Sequence, residues 1–325
     1  MQKLKSSSKL LTRLYSTRYL YPCLKTACER SLSLVDQPKF YFTTNTTTVD
    51  NQGQDQSLEM NVASYFEKKL SEHSDIKTFK MNLFEYVRYC EQNPNAFDNK
   101  FLEHIMQSIA AYSSQTAQAE VMNELPDIID LLSSFFYQSA SAMDRESFKL
   151  IIQHLPQIPV AKAKKIWHFV EFIFSRTEFS NTLLLHDLYL TLIAFHSIKK
   201  QYEIDKFAYI LEKIDMLIWQ RFTEADFETE ELPEFIHIFS LNRFGSQTLF
   251  QTFHAAFKKN YKKMTIEDAL KCAWGLVNYT VVHNKKIYTV FNADFESFLN
   301  ERKATLTPNS LIMYLWARNK EQEFK

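Results

Sequence analysis

Apolar side chains recur every three to four positions along most of the chain, from about residue 58 onward. This spacing places them on one face of an α-helix, and such a face requires burial. The clearest runs are Ile166, Val170, Ile173 and Phe174; Phe207, Ile210, Ile214 and Leu217; and Ile287, Phe291, Phe295 and Phe298. The pattern therefore predicts an all-α protein.

Short breaks with turn-forming residues separate these amphipathic segments. Proline cannot continue a helix interior, and a Gly-Ser pair is typical of a turn. The breaks are Asn93-Pro94, Leu155-Pro156, Leu232-Pro233, Gly245-Ser246 and Thr307-Pro308. We expect helices to end or begin at each of them.

One large apolar position recurs through the chain at intervals of 42, 42, 46, 35 and 42 residues. It is occupied by Ile109, Ile151, Ile193, Phe239, Trp274 and Trp316. The following residue is small in five of the six cases, the residues being Ala110, Ile152, Ala194, Ser240, Gly275 and Ala317. A large residue followed by a small one lets a neighbouring helix approach closely beside a bulky anchor, so we expect Gly275→Ala to be tolerated and Gly275→Leu to be destabilising.

The same helical face carries a second recurring position, four residues before each anchor. Its occupants are Ile105, Ser147, Tyr189, Phe235, Leu270 and Ile312. A second amphipathic helix follows each of the first five anchors, which gives two helices per roughly 40 residues. This predicts an α-solenoid of helical hairpins with a period of about 40 residues, and the drift in spacing leaves an irregular helical domain as the alternative. We assign N-terminal helices to residues 58–100 and the helical-repeat domain to residues 101–325.

The N-terminal residues 1–35 have the composition of an address, that is, of a segment that directs a protein to a cellular compartment. From Met1 to Cys28 there are six basic residues and no acidic one, and leucines can share one helical face. A basic, hydroxyl-rich, amphipathic start is typical of a mitochondrial transit peptide, and Arg13-Leu14-Tyr15-Ser16 resembles a processing site. A basic arm that binds a partner is the alternative. The sequence thus predicts a mitochondrial protein, in the matrix or on the matrix face of the inner membrane.

A polar segment follows the predicted address. Residues 44–57 contain a single apolar side chain, Val49. Such a stretch buries nothing, so we predict a flexible linker over residues 36–57.

Motifs that carry chemistry are scarce. The 3 glycines, Gly53, Gly245 and Gly275, are isolated from one another, which excludes a phosphate-binding loop or a dinucleotide fingerprint. The histidines and cysteines lack the spacing of metal ligands, and Cys90 and Cys272 fall on apolar helical faces, where cysteine is usually a core residue. No run approaches the roughly 18 apolar residues of a membrane span. We expect no enzymatic activity, no cofactor, no small-molecule substrate and no transmembrane span.

The charge distribution favours a protein partner over RNA. The whole chain has 38 basic and 38 acidic residues, and removing the six basic residues of Met1 to Cys28 leaves 32 against 38, a net charge of −6. Basic residues nevertheless cluster where the first helix of a repeat meets the second. This basic edge comprises Lys162, Lys164, Lys165, Lys199, Lys200, Arg243, Lys285 and Lys286. It predicts that one edge of the protein has a positive electrostatic potential. The alternative is that these lysines only keep the surface soluble.

The sequence around the fourth anchor, Phe239, resembles a known type of helical repeat. The segment Ile238-Phe239-Ser240-Leu241-Asn242-Arg243-Phe244-Gly245 resembles the Leu-Trp-Ala-Leu-Ala-Lys-Leu-Gly core of octotricopeptide-type repeats, which the FAST-kinase family of mitochondrial proteins shares in looser form. Weaker copies lie at residues 273–279 and 315–318. The resemblance covers three short stretches of residues 231–320 and implies organellar RNA binding or RNA processing.

Two functions follow from these observations. The first is a non-catalytic structural or assembly subunit of a large mitochondrial complex, such as the respiratory chain, ATP synthase or the mitoribosome, that binds other protein subunits. Its partner-binding residues would be Leu311, Leu315 and Trp316, because the last helix is followed by too few residues for a covering helix of the usual length. The alternative is a mitochondrial RNA-binding repeat protein that acts in transcript processing, stability or translation.

Overall fold

The computed structural model describes residues 64–70, 75–93, 96–115, 119–158, 160–201, 208–284, 289–302 and 305–324. The predicted targeting segment and linker, residues 1–57, lie outside these ranges. Every regular element within them is a helix. The prediction of an all-α protein is therefore confirmed for the described part of the chain.

Fourteen α-helices are numbered here in chain order. They are α1 (64–70), α2 (Ile76–Gln92), α3 (Asn99–Ser114), α4 (Ala119–Gln138), α5 (Arg145–His154), α6 (Val160–Ser175), α7 (Thr177–Ser180), α8 (Leu185–Gln201), α9 (Ala208–Arg221), α10 (Leu232–Leu241), α11 (Gln247–Asn260), α12 (Ile266–His283), α13 (Ala293–Glu301) and α14 (Pro308–Glu323). Single 3-10 turns follow α4, α5 and α11 at Ser139–Ser141, Leu155–Gln157 and Tyr261–Lys263. The predicted breaks lie at helix ends, and Asn93 represents the first of them because Pro94 is outside the described residues.

Helix starts follow the turn chemistry of the sequence. Short polar side chains accept a hydrogen bond from a backbone N–H in the first turn, which satisfies a donor that the helix itself leaves unpaired. The residues that cap helices in this way are Asp75, Asp98, Asp144, Ser246, Thr265, Asn292 and Thr307. Before the cap at Ser246, Gly245 has φ +114°, a conformation that other residues rarely adopt.

The helices from α2 onward, apart from the single-turn α7, pack in two rows. The first row is α3, α5, α8, α10, α12 and α14, in which each helix contacts the next. The second row is α2, α4, α6, α9, α11 and α13, joined between its last two members by the rings of Phe257 and Phe295. The core lies between the rows and is rich in phenylalanine, for example Phe235 and Phe239 of α10 against Phe253 of α11.

Neighbouring helices within the first row run parallel. Between α10 and α12, Glu234 pairs with Lys271 near the N-terminal ends, and Ser240 accepts from Asn278 one to two turns further along. Between α12 and α14, Glu267 accepts from Ser310, and the rings of Trp274 and Trp316 lie further along. The C-terminal ends of the first-row helices therefore lie along one edge of the described part of the protein, and their N-terminal ends lie along the other.

All six anchor positions of the sequence alignment lie in first-row helices, and the small residue after the anchor sets the closest approach. Gly275 of α12 packs on Ile236 of α10. A Cβ atom at position 275 would come within 2.5 Å of Ile236 Cγ2 and 3.2 Å of the Ile236 carbonyl oxygen. Cγ2 of a β-branched side chain cannot move far without moving the backbone. The structure thus contradicts the expectation that Gly275→Ala is tolerated, because the site is too tight for any side chain.

A polar contact joins each pair of consecutive first-row helices at their N-terminal ends. In order they are Asn99 to Asp144, Arg145 to Asp187, His186 to Glu231, Lys271 to Glu234, and Ser310 to Glu267. In the second of these contacts, the Arg145 guanidinium lies 2.6 Å from an Asp187 carboxylate that is itself completely buried. We expect these contacts to fix the register between neighbouring helices, which apolar packing alone determines poorly.

Candidate interaction surfaces

The last described helix, α14, is held by polar groups at both ends. Its N-terminal cap is Thr307, and Pro308 occupies the first turn, where its missing N–H costs nothing. Near its C-terminal end, the buried Glu321 carboxylate accepts the backbone N–H groups of Val290 at 2.5 Å and Phe291 at 3.3 Å. The segment before α13 is thereby tied to α14, so the outer face of α14 has a fixed position.

That outer face is apolar and exposed to solvent. Leu311, Ile312 and Leu315 are 43%, 65% and 50% exposed, and we call these three residues the α14 face. Beside it lies an open cavity of about 300 Å³ whose apolar lining is Leu270, Leu299, Leu306, Leu311 and Tyr314. A cluster of exposed leucine and isoleucine next to an apolar cavity is characteristic of an interaction site.

The third residue predicted to bind a partner, Trp316, has a different environment. Its indole is half-buried and lies 5.9 Å from the indole of Trp274. It continues a row of half-buried rings across four first-row helices, in which His196, His237, Trp274 and Trp316 are separated by 6.5, 5.4 and 5.9 Å. Trp316 thus packs against its own chain, and a truncation there would disturb the packing between α12 and α14.

Two features of this region were missed from the sequence. Ile312 was aligned with core positions but was not selected as a binding residue, although it is the most exposed side chain of the α14 face. The second is the ring row, because His196 and His237 stand at different offsets from their anchors. The alignment contained the signal for Ile312, whereas the contact between the histidines depends on how far one helix is rotated against the next.

Charged groups next to the α14 face are paired within the chain. Arg318 lies 3.2 Å from Glu296 of α13 and also donates to the Tyr314 hydroxyl, and Lys320 lies 2.8 Å from Glu323 one turn later. The hydrogen bond to Tyr314 and the charge of Glu296 raise the pKa of Arg318. The α14 face is therefore flanked by neutralised pairs, and its recognition properties are those of its apolar side chains.

The predicted basic edge lies at helix ends, and only part of it is described. Lys162 and Lys164 lie in the first turns of α6, and Lys199 and Lys200 lie at the end of α8, all with side chains outside the described part. Lys285 and Lys286 fall outside the described residues altogether. Arg243 is exposed in the turn after α10, with a φ of 51°. Each described position lies at a junction between a first-row and a second-row helix.

Lys165, the remaining member, is not a free cation. Its ammonium group pairs with Asp130 of α4. Such pairing recurs between neighbouring second-row helices, where Lys77 pairs with Glu120, and Lys80 pairs with both Glu124 and Asp127. These pairs reduce the positive potential that this side of the protein offers to a polyanion.

Reactive groups in the described part are buried. Cys90 and Cys272 are core residues, which confirms the prediction from their apolar faces. Burial raises the pKa of the Cys90 thiol to about 11 and raises that of Cys272 as well, so neither thiol is activated. Among the described residues, His, Cys, Asp and Glu side chains form no group of three or more that could hold a metal ion. None of the described helices combines the length and the apolar content that a membrane span requires.

His254 of α11 gives the fold a specific dependence on pH. Its burial, together with repulsion from Lys258 and despite a hydrogen bond to the Thr289 backbone, lowers its pKa from 6.5 to about 4. The unfolded chain therefore binds a proton here before the native state does, and stability present above pH 6.5 declines as pH falls towards 4. We expect the free energy of unfolding of the wild type to fall more between pH 7 and pH 5 than that of His254→Gln, measured by urea titration at both pH values. Equal losses in the two proteins would contradict this assignment.

Comparisons with protein-family models, with curated proteins and with solved structures return no match. The similarity to octotricopeptide-type repeats accordingly stays a prediction from the sequence.

Proposed function

We propose that this chain is a non-catalytic α-solenoid that acts as an assembly subunit of a large mitochondrial complex. The repeat is supported by contacts between consecutive first-row helices. The five polar contacts at their N-terminal ends join residues 45, 42, 45, 37 and 43 positions apart. These separations follow the anchor spacings of 42, 42, 46, 35 and 42, with the short step at the same place. One hairpin per roughly 40 residues accounts for both series.

The observation that carries the function is the α14 face. Exposing Leu311, Ile312 and Leu315 beside an open apolar cavity costs free energy that a bound partner recovers, at about 25 cal/mol per Å² of apolar surface covered. A stacked row of helices provides a rigid support for such a surface. The test is purification of the tagged full chain from mitochondria, followed by identification of the proteins and RNAs that remain bound. Recovery of the chain alone would contradict the proposal.

The mitochondrial address is tested separately. Residues 1–35 fused to a fluorescent reporter are expected to carry it into mitochondria, because a basic amphipathic segment is drawn inward by a potential that is negative inside. Replacing Arg13 and Arg18 by glutamate reverses two charges and is expected to leave the reporter in the cytosol. Microscopy with a co-localised mitochondrial stain gives the answer. If the wild-type fusion stays cytosolic, the localisation is wrong.

The second candidate function is RNA binding, which the predicted basic edge and the repeat resemblance favour. If RNA is the ligand, charge reversal at Lys199, Lys200, Lys285 and Lys286 is expected to abolish binding. Affinity is also expected to fall steeply with salt, because phosphate contacts release counterions.

We favour the protein partner because the chain without its predicted address has a net charge of −6 and because Lys165 is already paired with Asp130. The expected result for the purified chain lacking residues 1–35 is no measurable RNA affinity at physiological salt. Submicromolar, salt-sensitive binding in a fluorescence-anisotropy titration would reverse the ranking.

A further inference from the structure

At two equivalent positions of the first-row helices, only α14 has exposed side chains. Four residues before the anchor, Ile105, Ser147, Phe235 and Leu270 are at most 1% exposed and Tyr189 is half-buried, whereas Ile312 is 65% exposed. One residue before the anchor, the residues of α8, α10 and α12 are Leu192, Ile238 and Ala273, all completely buried, whereas Leu315 is 50% exposed. Ile312 and Leu315 of the α14 face thus occupy positions that are buried in α10 and α12.

The protein itself shows what covers the position of Ile312. In α10 this position is Phe235, and the ring of Phe253 from the second-row helix α11 lies 6.1 Å from it. The same ring lies 6.0 Å from the anchor Phe239. In this hairpin a helix therefore supplies the cover, and its contact residue is a phenylalanine.

From this equivalence we propose that the α14 face binds one amphipathic α-helix of a partner protein, which takes the place over α14 that α11 takes over α10. This rests on the proposed function and names the class of partner. The bound helix presents a large apolar residue, preferably aromatic, to the cavity beside Leu311. Residues one turn before and after it cover Ile312 and Leu315.

The chemistry of the surface favours a helix over other ligands. An extended peptide binds by adding a strand to an open sheet edge, and the described part of the chain contains no strand. A helix needs only an apolar groove that matches its three-to-four spacing, and Leu311, Ile312 and Leu315 have that spacing. Because Arg318 and Lys320 are already paired, neither of these described cations is free for a phosphate or an acidic segment, and binding is expected to be insensitive to salt.

The test uses the full chain in mitochondria, with Ile312 replaced by the photo-crosslinking amino acid p-benzoyl-phenylalanine. A second protein has the same replacement at Gln251, an exposed residue of α11, as the matched control. We expect illumination to join position 312 to a single segment of one other protein, with apolar residues at helical spacing, and position 251 to join none. The synthetic peptide of that segment is then titrated against the purified full chain.

The peptide is expected to gain helical circular dichroism on binding. Its affinity should fall at least tenfold in Ile312→Lys and in Leu315→Lys and stay unchanged in Gln251→Lys, with less than a twofold change between 50 and 500 mM salt. The proposal is overturned if crosslinks lead to lipid, to RNA, to a second copy or to another segment of this chain, if the captured segment lacks helical apolar spacing, or if no crosslink forms. If one of these results is obtained while the chain still co-purifies with other subunits, only the proposed binding site for a helix is refuted. Recovery of the chain alone refutes the proposed function itself.

Discussion

Arg145→Ala is expected to destabilise the fold by about 3 kcal/mol, because it leaves a completely buried carboxylate without its cation. In the native protein Asp187 accepts from Arg145 at 2.6 Å and from the Leu184 backbone N–H at 2.7 Å. The first hydrogen bond also raises the pKa of Arg145. For a domain of this size the loss corresponds to a melting temperature lower by about 6 to 12 °C, measured by circular dichroism.

A matched variant separates the charge from the packing. Asp187→Asn keeps the shape of the side chain and still accepts from the Leu184 backbone, but it has no charge that needs a partner. The double variant Arg145→Ala/Asp187→Asn should therefore be more stable than Arg145→Ala alone. If Arg145→Ala costs less than about 1 kcal/mol, the pair behaves as an exposed one and does not set the register between α5 and α8.

Gly275→Leu is expected to cost about 3 kcal/mol, at the upper end of what overpacking usually costs. Gly275→Ala is expected to be destabilising by about 1 kcal/mol, because about 2 kcal/mol of crowding exceeds the roughly 1 kcal/mol of helix propensity that alanine gains over glycine. The crowding comes from Ile236, whose Cγ2 atom would lie 2.5 Å from the new Cβ atom. Urea unfolding of the three proteins gives the differences directly.

The second site provides the control for this prediction. In an Ile236→Ala background the obstructing methyl group is absent, so Gly275→Ala should become stabilising. A double-mutant cycle therefore measures the contact between α10 and α12. Unfolding of both Gly275 variants at the wild-type urea concentration would show that the two helices do not pack at this distance.

Much of the helical organisation could be predicted from the sequence because its signals are local. Three-to-four spacing gave the helices, and Leu232-Pro233 and Thr307-Pro308 gave two of their starts. The pattern of a large apolar residue followed by a small one identified six anchor positions, and all six lie in the first row of helices. Such pairs are readable because a helix that approaches closely needs a small residue at a fixed place relative to its anchor.

Distances between helices and the pairing of charges were not predictable in the same way. Whether position 275 tolerates alanine depends on the distance from its Cβ atom to Ile236 Cγ2, which is 2.5 Å where an ordinary contact is 3.4–4 Å. Arg145 and Asp187 are 42 residues apart. Each is a charged residue that would be expected at the surface as long as its partner is unknown. Lys165 was assigned to a free basic edge for the same reason, because its pairing with Asp130 of α4 is invisible in a one-dimensional pattern.

The candidate site was predicted in part. The last helix was expected to carry exposed apolar residues, and Leu311 and Leu315 are exposed on it. Trp316 was grouped with them because it lies on the same helix, which too few residues follow for a covering helix, but its ring reaches back to Trp274 of α12. Exposure depends on which side of the helix faces the preceding one, and a helical period fixes that side only to within about one residue.

The central claim is that this protein works as a bound subunit through the α14 face, and sedimentation of mitochondrial lysates tests it most directly. The full chain is expected to sediment in a particle far heavier than its own 38.5 kDa, before and after ribonuclease treatment. The double variant Ile312→Lys/Leu315→Lys should sediment near the monomer with an unchanged melting temperature, and Gln251→Lys should sediment as the wild type does. A wild-type chain that sediments as a monomer, or a particle that ribonuclease dissolves, would contradict the account.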